Sequence, residues 1–204
     1  MTASSNEEMS NVYPGHVPSG LINTEFVLRP IVAADAAKDH AAVMETRESL
    51  RLWEQSSWPD DDFTVEANRE DLVNLEKRHG DRRAFTFTVV SPDGSECLGC
   101  VYVFPPGASF LAKSDVTAVG HDRWADVDVV VYFWARRTQM ETGIDERLFD
   151  ALRVWFRDDW KVATAVFVTN TEFTQQVDLI RRSDLTLKFE LVEPGKRGKY
   201  LAFG

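Results

Sequence analysis

A few groups of residues carry side chains able to do chemistry, and each also has a plain structural alternative. Cys97-Leu98-Gly99-Cys100 has the C-x-x-C spacing of a redox pair or of half a zinc site. A redox pair belongs at a helix N-terminus, where the dipole lowers the thiol pKa. This pair lies inside the strand-like run from Glu96 to Phe104, and the histidines (16, 40, 79 and 121) are too scattered to complete a zinc site. No metal is expected, and two reduced strand cysteines suit a cytosolic compartment. Asp60-Asp61-Asp62 lacks the spaced ligands and distal Glu of a calcium loop and reads as a solvated turn. Asp126 and Asp128 project from one face of an apolar strand, the face shared by Val130, Tyr132 and Trp134. A carboxylate there is able to take a proton from an amine, or to sit as a plain charge at an exposed strand start.

Composition bounds the partners. With 23 Lys+Arg against 33 Asp+Glu, the 204 residues carry a formal net charge of −10. That balance argues against nucleic acid and anionic membranes, because no basic stripe offsets it. The longest basic cluster, Lys196-Arg197-Gly198-Lys199, reads as a hairpin turn. A 44% hydrophobic, 27% charged chain of this length is expected to form one globular domain. No run of 18 apolar residues suggests a membrane span, and the first residues lack the pattern of a secretory signal, so the expected location is cytoplasmic.

The elements that must position these groups follow from hydrophobic period. Residues 1–22 are polar and rich in Ser, Asn, Gly and Pro, which predicts a tail with little core, leaving 23–204 as the domain. Phe26 to Ile31 is a first strand, and Asp35 opens a helix through about Trp53. Thr64 is an N-cap for a second helix through about His79. Ala84–Val90 and 96–104 make a hairpin about Ser91-Pro92-Asp93-Gly94, and 108–122 reads as an extended loop. Asp126 to Trp134 is continuously apolar and therefore central and covered on both faces. Ile144, Leu148, Leu152 and Trp155 form a helical stripe, 163–168 is a second buried strand, 172–183 a helix, and 185–203 a terminal hairpin. A buried strand, a helix and a second buried strand imply a right-handed parallel crossover. The predicted fold is a mixed α/β sheet with helices on both faces.

This order, β-α-α-β-β-β-α-β-α-β-β, resembles the GNAT (Gcn5-related N-acetyltransferase) superfamily from about residue 24 to 203. Leu28-Arg29-Pro30-Ile31 followed by Asp35 is similar to the family's opening, and Phe87 to Phe104, with Gly94 and Gly99, to its second and third strands. Val130-Val131-Tyr132-Phe133-Trp134 resembles the fourth strand, Gly143 to Phe149 the start of the next helix, and Val168-Thr169-Asn170 the end of the fifth strand. The resemblance implies a mostly antiparallel sheet whose fourth and fifth strands splay to admit the pantetheine arm of acetyl-CoA. It implies acetyl transfer to a small-molecule or protein amine by direct attack, with a homodimer as a possible assembly. It also implies cofactor contacts from Phe133, Trp134, Arg136, Arg137, Gly143 and Asn170, the backbone of Phe133 and Trp134 holding the thioester, and Asp128 as the base.

The chain departs from the family at three positions. The pyrophosphate loop Gln/Arg-x-x-Gly-x-Gly/Ala becomes Met140-Glu141-Thr142-Gly143-Ile144-Asp145. An aspartate about 5 Å from a phosphate costs roughly 1–3 kcal/mol at intermediate dielectric. Thr142 with Asp145 also forms a capping-box-like pair needing no ligand, while Arg136, Arg137 and Arg147 are placed to restore positive potential. Ile180 stands where the family's tyrosine acid would be. Two readings follow: an acyltransferase with a divergent phosphate loop, or a non-catalytic GNAT-like binding or interaction module that has lost CoA.

Overall fold

Strand periodicity and the burial it dictates explain the sheet. In the computed structural model, which describes residues 12–204, β6 (Val129–Ala135) is buried at every position. Its alternate side chains serve two separate cores. Val129, Val131 and Phe133 face one, and Val130, Tyr132 and Trp134 face the other. A strand with no polar face needs a layer on each side, and helices supply both.

Among the described residues nine strands form one sheet in the order β1-β2-β3-β4-β6-β7-β9-β8-β5. They are β1 (Leu21–Ile22), β2 (Val27–Pro30), β3 (Phe85–Val90), β4 (Cys97–Phe104), β5 (Asp115–Ala118), β6, β7 (Ala165–Asn170), β8 (Leu187–Val192) and β9 (Tyr200–Phe203). Only β6 and β7 pair in parallel, and every other neighbour is antiparallel. Gly99 permits the close approach of β4 to β6, since a Cβ on it would meet the Trp134 carbonyl oxygen at 2.3 Å.

Helices α1 (Ala36–Glu54) and α2 (Val65–Gly80) cover one face, Val43, Leu50 and Leu72 packing toward Val130 and Trp134. Thr64 caps α2, its Oγ1 accepting from Ala67 N at 3.1 Å. A short α3 (Arg137–Met140) leads to α4 (Ile144–Trp155), which continues as a π-helical turn through Trp160. With α5 (Thr174–Arg181), α4 covers the opposite face. Phe149 stacks on Phe133 (5.8 Å between centroids) and meets Phe167 edge-on (5.1 Å), tying the crossover helix to both strands it joins.

Two expectations change. Residues 108–122 are not a plain loop: Asp115–Ala118 forms an edge strand on β8, a pairing too long-range for local pattern to reveal. Residues 1–11 of the expected tail lie outside the described residues, but residues 12–22 join the fold. Tyr13 buries its ring against Phe85 and Trp160, and Leu21–Ile22 pairs with β2.

Candidate active site

The one parallel pairing is short. β6 and β7 are in register at Val129↔Ala165, Val130↔Val166 and Val131↔Phe167, and there the pairing stops. Beyond it β6 stays with β4 as far as Ala135↔Gly99, and β7 stays with β9 as far as Asn170↔Tyr200. Each strand is held by its outer neighbour while the two diverge, so the inner edge of β6 from Tyr132 onward has no strand partner.

Backbone alternation decides what that edge offers. The Phe133 carbonyl accepts from Gln176 Nε2 at 2.8 Å, so it faces away from β4, and the Phe133 N–H shares its edge. Trp134 faces the other way: it pairs with Cys100, and Arg136 N continues that ladder to Leu98 O at 2.7 Å. Of the two backbones expected at a thioester, that of Phe133 lies on the open edge and that of Trp134 is committed to β4. The Trp134 indole packs on the α1–α2 face, its Nε1 donating to Tyr102 Oη at 3.3 Å.

On one side of the splay stands the N-terminus of α4. Gly143 is its N-cap at φ 77°, a left-handed conformation that favours glycine, and no side chain caps the helix. The Thr142–Asp145 capping pair does not form: Thr142 Oγ1 donates to Gln139 O, and Asp145 Oδ2 accepts from Gln175 Nε2 at 3.2 Å. The preceding loop already holds an anion of its own. Glu45 accepts from Arg136 Nε at 2.7 Å and from Thr138 N at 3.0 Å, while Arg137 N donates to Thr46 Oγ1. Desolvation alone would raise the Glu45 carboxyl, but the hydrogen bonds from Arg136 and Thr138 outweigh it and bring it to about 2. Arg137 is exposed with no ion pair among the described residues, whereas Arg147 turns back to Glu25 and the Thr142 carbonyl. The space between α4 and α5, bounded by Ala135, Met140, Asp145, Gln175 and Gln176, is only about 10 Å³. Within it Gln176 Oε1 is buried with no partner.

On the other side lies a cavity of about 480 Å³ between α1, α2, the sheet and the β8–β9 turn. Trp53, Trp58, Tyr102, Phe110, Tyr132 and Tyr200 contribute aromatic walls. Four carboxylates (Asp39, Glu54, Asp71, Glu193) and two cations (Arg78, Lys196) supply its charge. Tyr132 Oη donates to Glu193 Oε1 at 2.6 Å. Burial pushes the Glu193 carboxyl above the usual range and the nearby Glu54 charge adds to this, against the Tyr132 hydrogen bond and Lys196. Lys196 is committed to Glu54, its Nζ reaching both the carboxylate and the main-chain carbonyl. Asp39, buried on Asn68 and Cys97, is pushed up by desolvation to about 6.

Two expected site residues do structural work. Asp128 sits at the end of β6 opposite the splay, where Oδ2 accepts from Ala163 N (2.8 Å) and Thr164 N (2.9 Å). It staples the start of the parallel pair and does not face the open edge, so it is corrected from base to tether. Asp126 is exposed and paired with Arg123. Asn170 is fully buried, its Nδ2 donating to Leu52 O and Trp53 O at the end of α1 and its Oδ1 accepting from Glu172 N and Phe173 N. Every polar atom of that amide is used inside the protein, which leaves none for a cofactor. Ile180 is fully buried in the core, and the polar side chain that α5 presents to β6 is Gln176. Cys97 and Cys100 are buried and form no disulfide, and burial first, with the Asp39 charge second, pushes the Cys97 thiol up to about 12. Sequence reasoning passed over Glu193 and Gln176. Tyr132 was the available signal for the first, but its partner lies 61 residues away.

No protein-family model and no curated protein sequence matches the chain. Solved structures do. The ribosomal L7/L12 α-N-protein acetyltransferase RimL, in complex with coenzyme A, aligns over 90% of this chain and 94% of its own at TM-score 0.65 and 13% identity. The ribosomal-protein-S5-alanine acetyltransferase from Vibrio fischeri covers 91% and 95% at TM-score 0.63 and 16% identity. The microcin C7 self-immunity acetyltransferase MccE, with acetyl-CoA and AMP, covers 92% and 96% at TM-score 0.62 and 13% identity. The fold is that of the GNAT acetyltransferases. No helix among the described residues is long and apolar enough to cross a membrane.

Proposed function

We propose that the chain is an acyl-CoA-dependent N-acyltransferase that moves an acetyl group from acetyl-CoA to an amine by direct attack. One observation carries the reading: the divergence of β6 from β7 beyond Val131 and Phe167, with an uncapped helix N-terminus on one side and a carboxylate-bearing aromatic cavity on the other. The similar acetyltransferase structures, two of them solved with CoA or acetyl-CoA, support it.

The residues present fit the co-substrate. The orphaned Gln176 Oε1 beside the open edge suits an amide N–H, and the Gly143 N-cap leaves main-chain N–H groups of α4 free for phosphate. The backbone of Phe133, Gln176, the α4 N-terminus at Gly143, and Arg137 would hold it, while Arg136 is spent on Glu45. When bound, acetyl-CoA supplies the activated acyl carbon and the leaving sulfur. On the cavity side Glu193 takes the proton that the amine sheds. Its raised pKa places it nearer the operating pH than an ordinary carboxylate, as a general base requires. Toward β6, helix α5 presents Gln176 and no acid, so the thiolate takes its proton from solvent and turnover is slow.

A specific observation favours the second reading, a binding module without catalysis. Gln176 holds the Phe133 carbonyl, Glu45 holds Thr138 N and Arg136, and the space between α4 and α5 is nearly filled. Calorimetry with acetyl-CoA, followed by thiol release on adding an amine panel, separates the two. Saturable binding with amine-dependent thiol release supports the enzyme; no heat at millimolar acetyl-CoA supports the module.

A further inference from the structure

The cavity is more particular than an open acceptor groove, and its particulars name a class of substrate. Glu193 is 7% exposed and lines it, yet no cation lies within 4 Å of that carboxylate among the described residues. The nearest candidate, Lys196, is spent on Glu54. A buried carboxylate without a cation is expensive unless a ligand completes the pair. The wall beside it is aromatic, with rings packed on one another. Tyr132 stands 6.3 Å from Trp53, 6.2 Å from Phe110 and 6.4 Å from Tyr200, and Trp53 lies 5.9 Å from Tyr102. Aromatic faces around a carboxylate attract an ammonium twice over, through the ring quadrupole and through the charge. Trp53 also lines this cavity, although its Nε1–H is itself buried and without an acceptor among the described residues. The same four carboxylates repel any ligand bearing an anionic group.

Resting on the acyltransferase reading, we infer that the acceptor is a small amine with an apolar, preferably aromatic body and no anionic group, its ammonium seated against Glu193 and its body among the rings around Tyr132. The volume of about 480 Å³ suits a molecule of that size.

Binding is measured by calorimetry without acetyl-CoA, so it is independent of whether the chain transfers acetyl groups. The probes are L-phenylalaninamide, L-phenylalanine, phenethyl alcohol and spermidine. Phenylalaninamide is expected to bind at least tenfold more tightly than phenylalanine, whose carboxylate meets Glu193 and Glu54, and than phenethyl alcohol, which lacks the cation. Glu193→Gln, which keeps an acceptor for Tyr132, should lose at least tenfold affinity for phenylalaninamide and none for phenethyl alcohol. Should that variant fail to fold, the wild-type ranking alone decides. Equal affinity for the amide and the alcohol overturns the proposal, as does spermidine binding more tightly than phenylalaninamide. Acetyl transfer to spermidine alone would sink this substrate class while leaving the acyltransferase reading intact. Phenylalaninamide binding with no heat from acetyl-CoA would do the reverse.

Discussion

The two sides of the β6/β7 splay are built in opposite ways. On the α1–α2 side the protein leaves about 480 Å³ open and places an unneutralised carboxylate, Glu193, in its wall. On the α4–α5 side it leaves about 10 Å³ and satisfies nearly everything internally: Glu45 takes the loop's donors, Asp145 takes Gln175, and Gln176 takes the Phe133 carbonyl. The first side keeps an open space with a carboxylate that no cation of the described residues pairs, and the second is narrow, its polar groups largely paired with one another.

The largest expected effect tests the open side. Glu193→Gln removes the proton acceptor while keeping the shape, and should lower kcat by about 10²–10⁴-fold. It should also erase the acidic limb of the pH–rate profile. That limb lies above the ordinary carboxylate range, because burial and the nearby Glu54 charge raise the Glu193 carboxyl by more than the Tyr132 hydrogen bond and Lys196 lower it. An unchanged limb in the variant would remove Glu193 from the chemistry.

The closed side gives the next two effects. Asp145→Ala removes a carboxylate from the α4 N-terminus and frees Gln175, and should tighten acetyl-CoA by roughly 10–100-fold. Titration calorimetry reads this directly, and equal affinity in the variant would show that no phosphate approaches that turn. Glu45→Gln should tighten it less, about three- to tenfold, by releasing Thr138 N and Arg136, while lowering Tm by a few degrees for the lost ion pair. A thermal-shift titration checks both signs at once.

The smallest effect concerns Asp39 in the cavity wall. Burial raises its carboxyl from the ordinary carboxylate range to about 6 in the fold, so between those values the native state binds the extra proton. Stability from this group is present below about pH 4 and is lost as pH rises through 6. Asp39→Asn should therefore gain about 1–3 kcal/mol relative to wild type at pH 8 and about half as much at pH 5. Denaturant midpoints at the two pH values measure it, and a pH-independent difference would contradict it.

Much of the frame was legible in the sequence. The continuous apolar run Val129–Ala135, the Ile144–Leu148–Leu152–Trp155 stripe and the buried strand after it determine a parallel crossover, because local period and covered faces leave little alternative. Gly143 was legible for the same kind of reason: a left-handed residue at a helix start is a local requirement. The site's working groups were not. Asp128 and Asn170 carry suitable side chains in plausible places, and only the partners brought to them by the fold, Ala163 and Thr164 for one and the end of α1 for the other, turn them into tethers. Glu193 is an ordinary carboxylate before a Pro-Gly turn until the sheet sets it beside Tyr132 and buries both. Sequence determined the elements because their causes act within a few residues. Tertiary structure alone decided which polar groups are spent and which are left for a ligand, because that depends on partners tens of residues away.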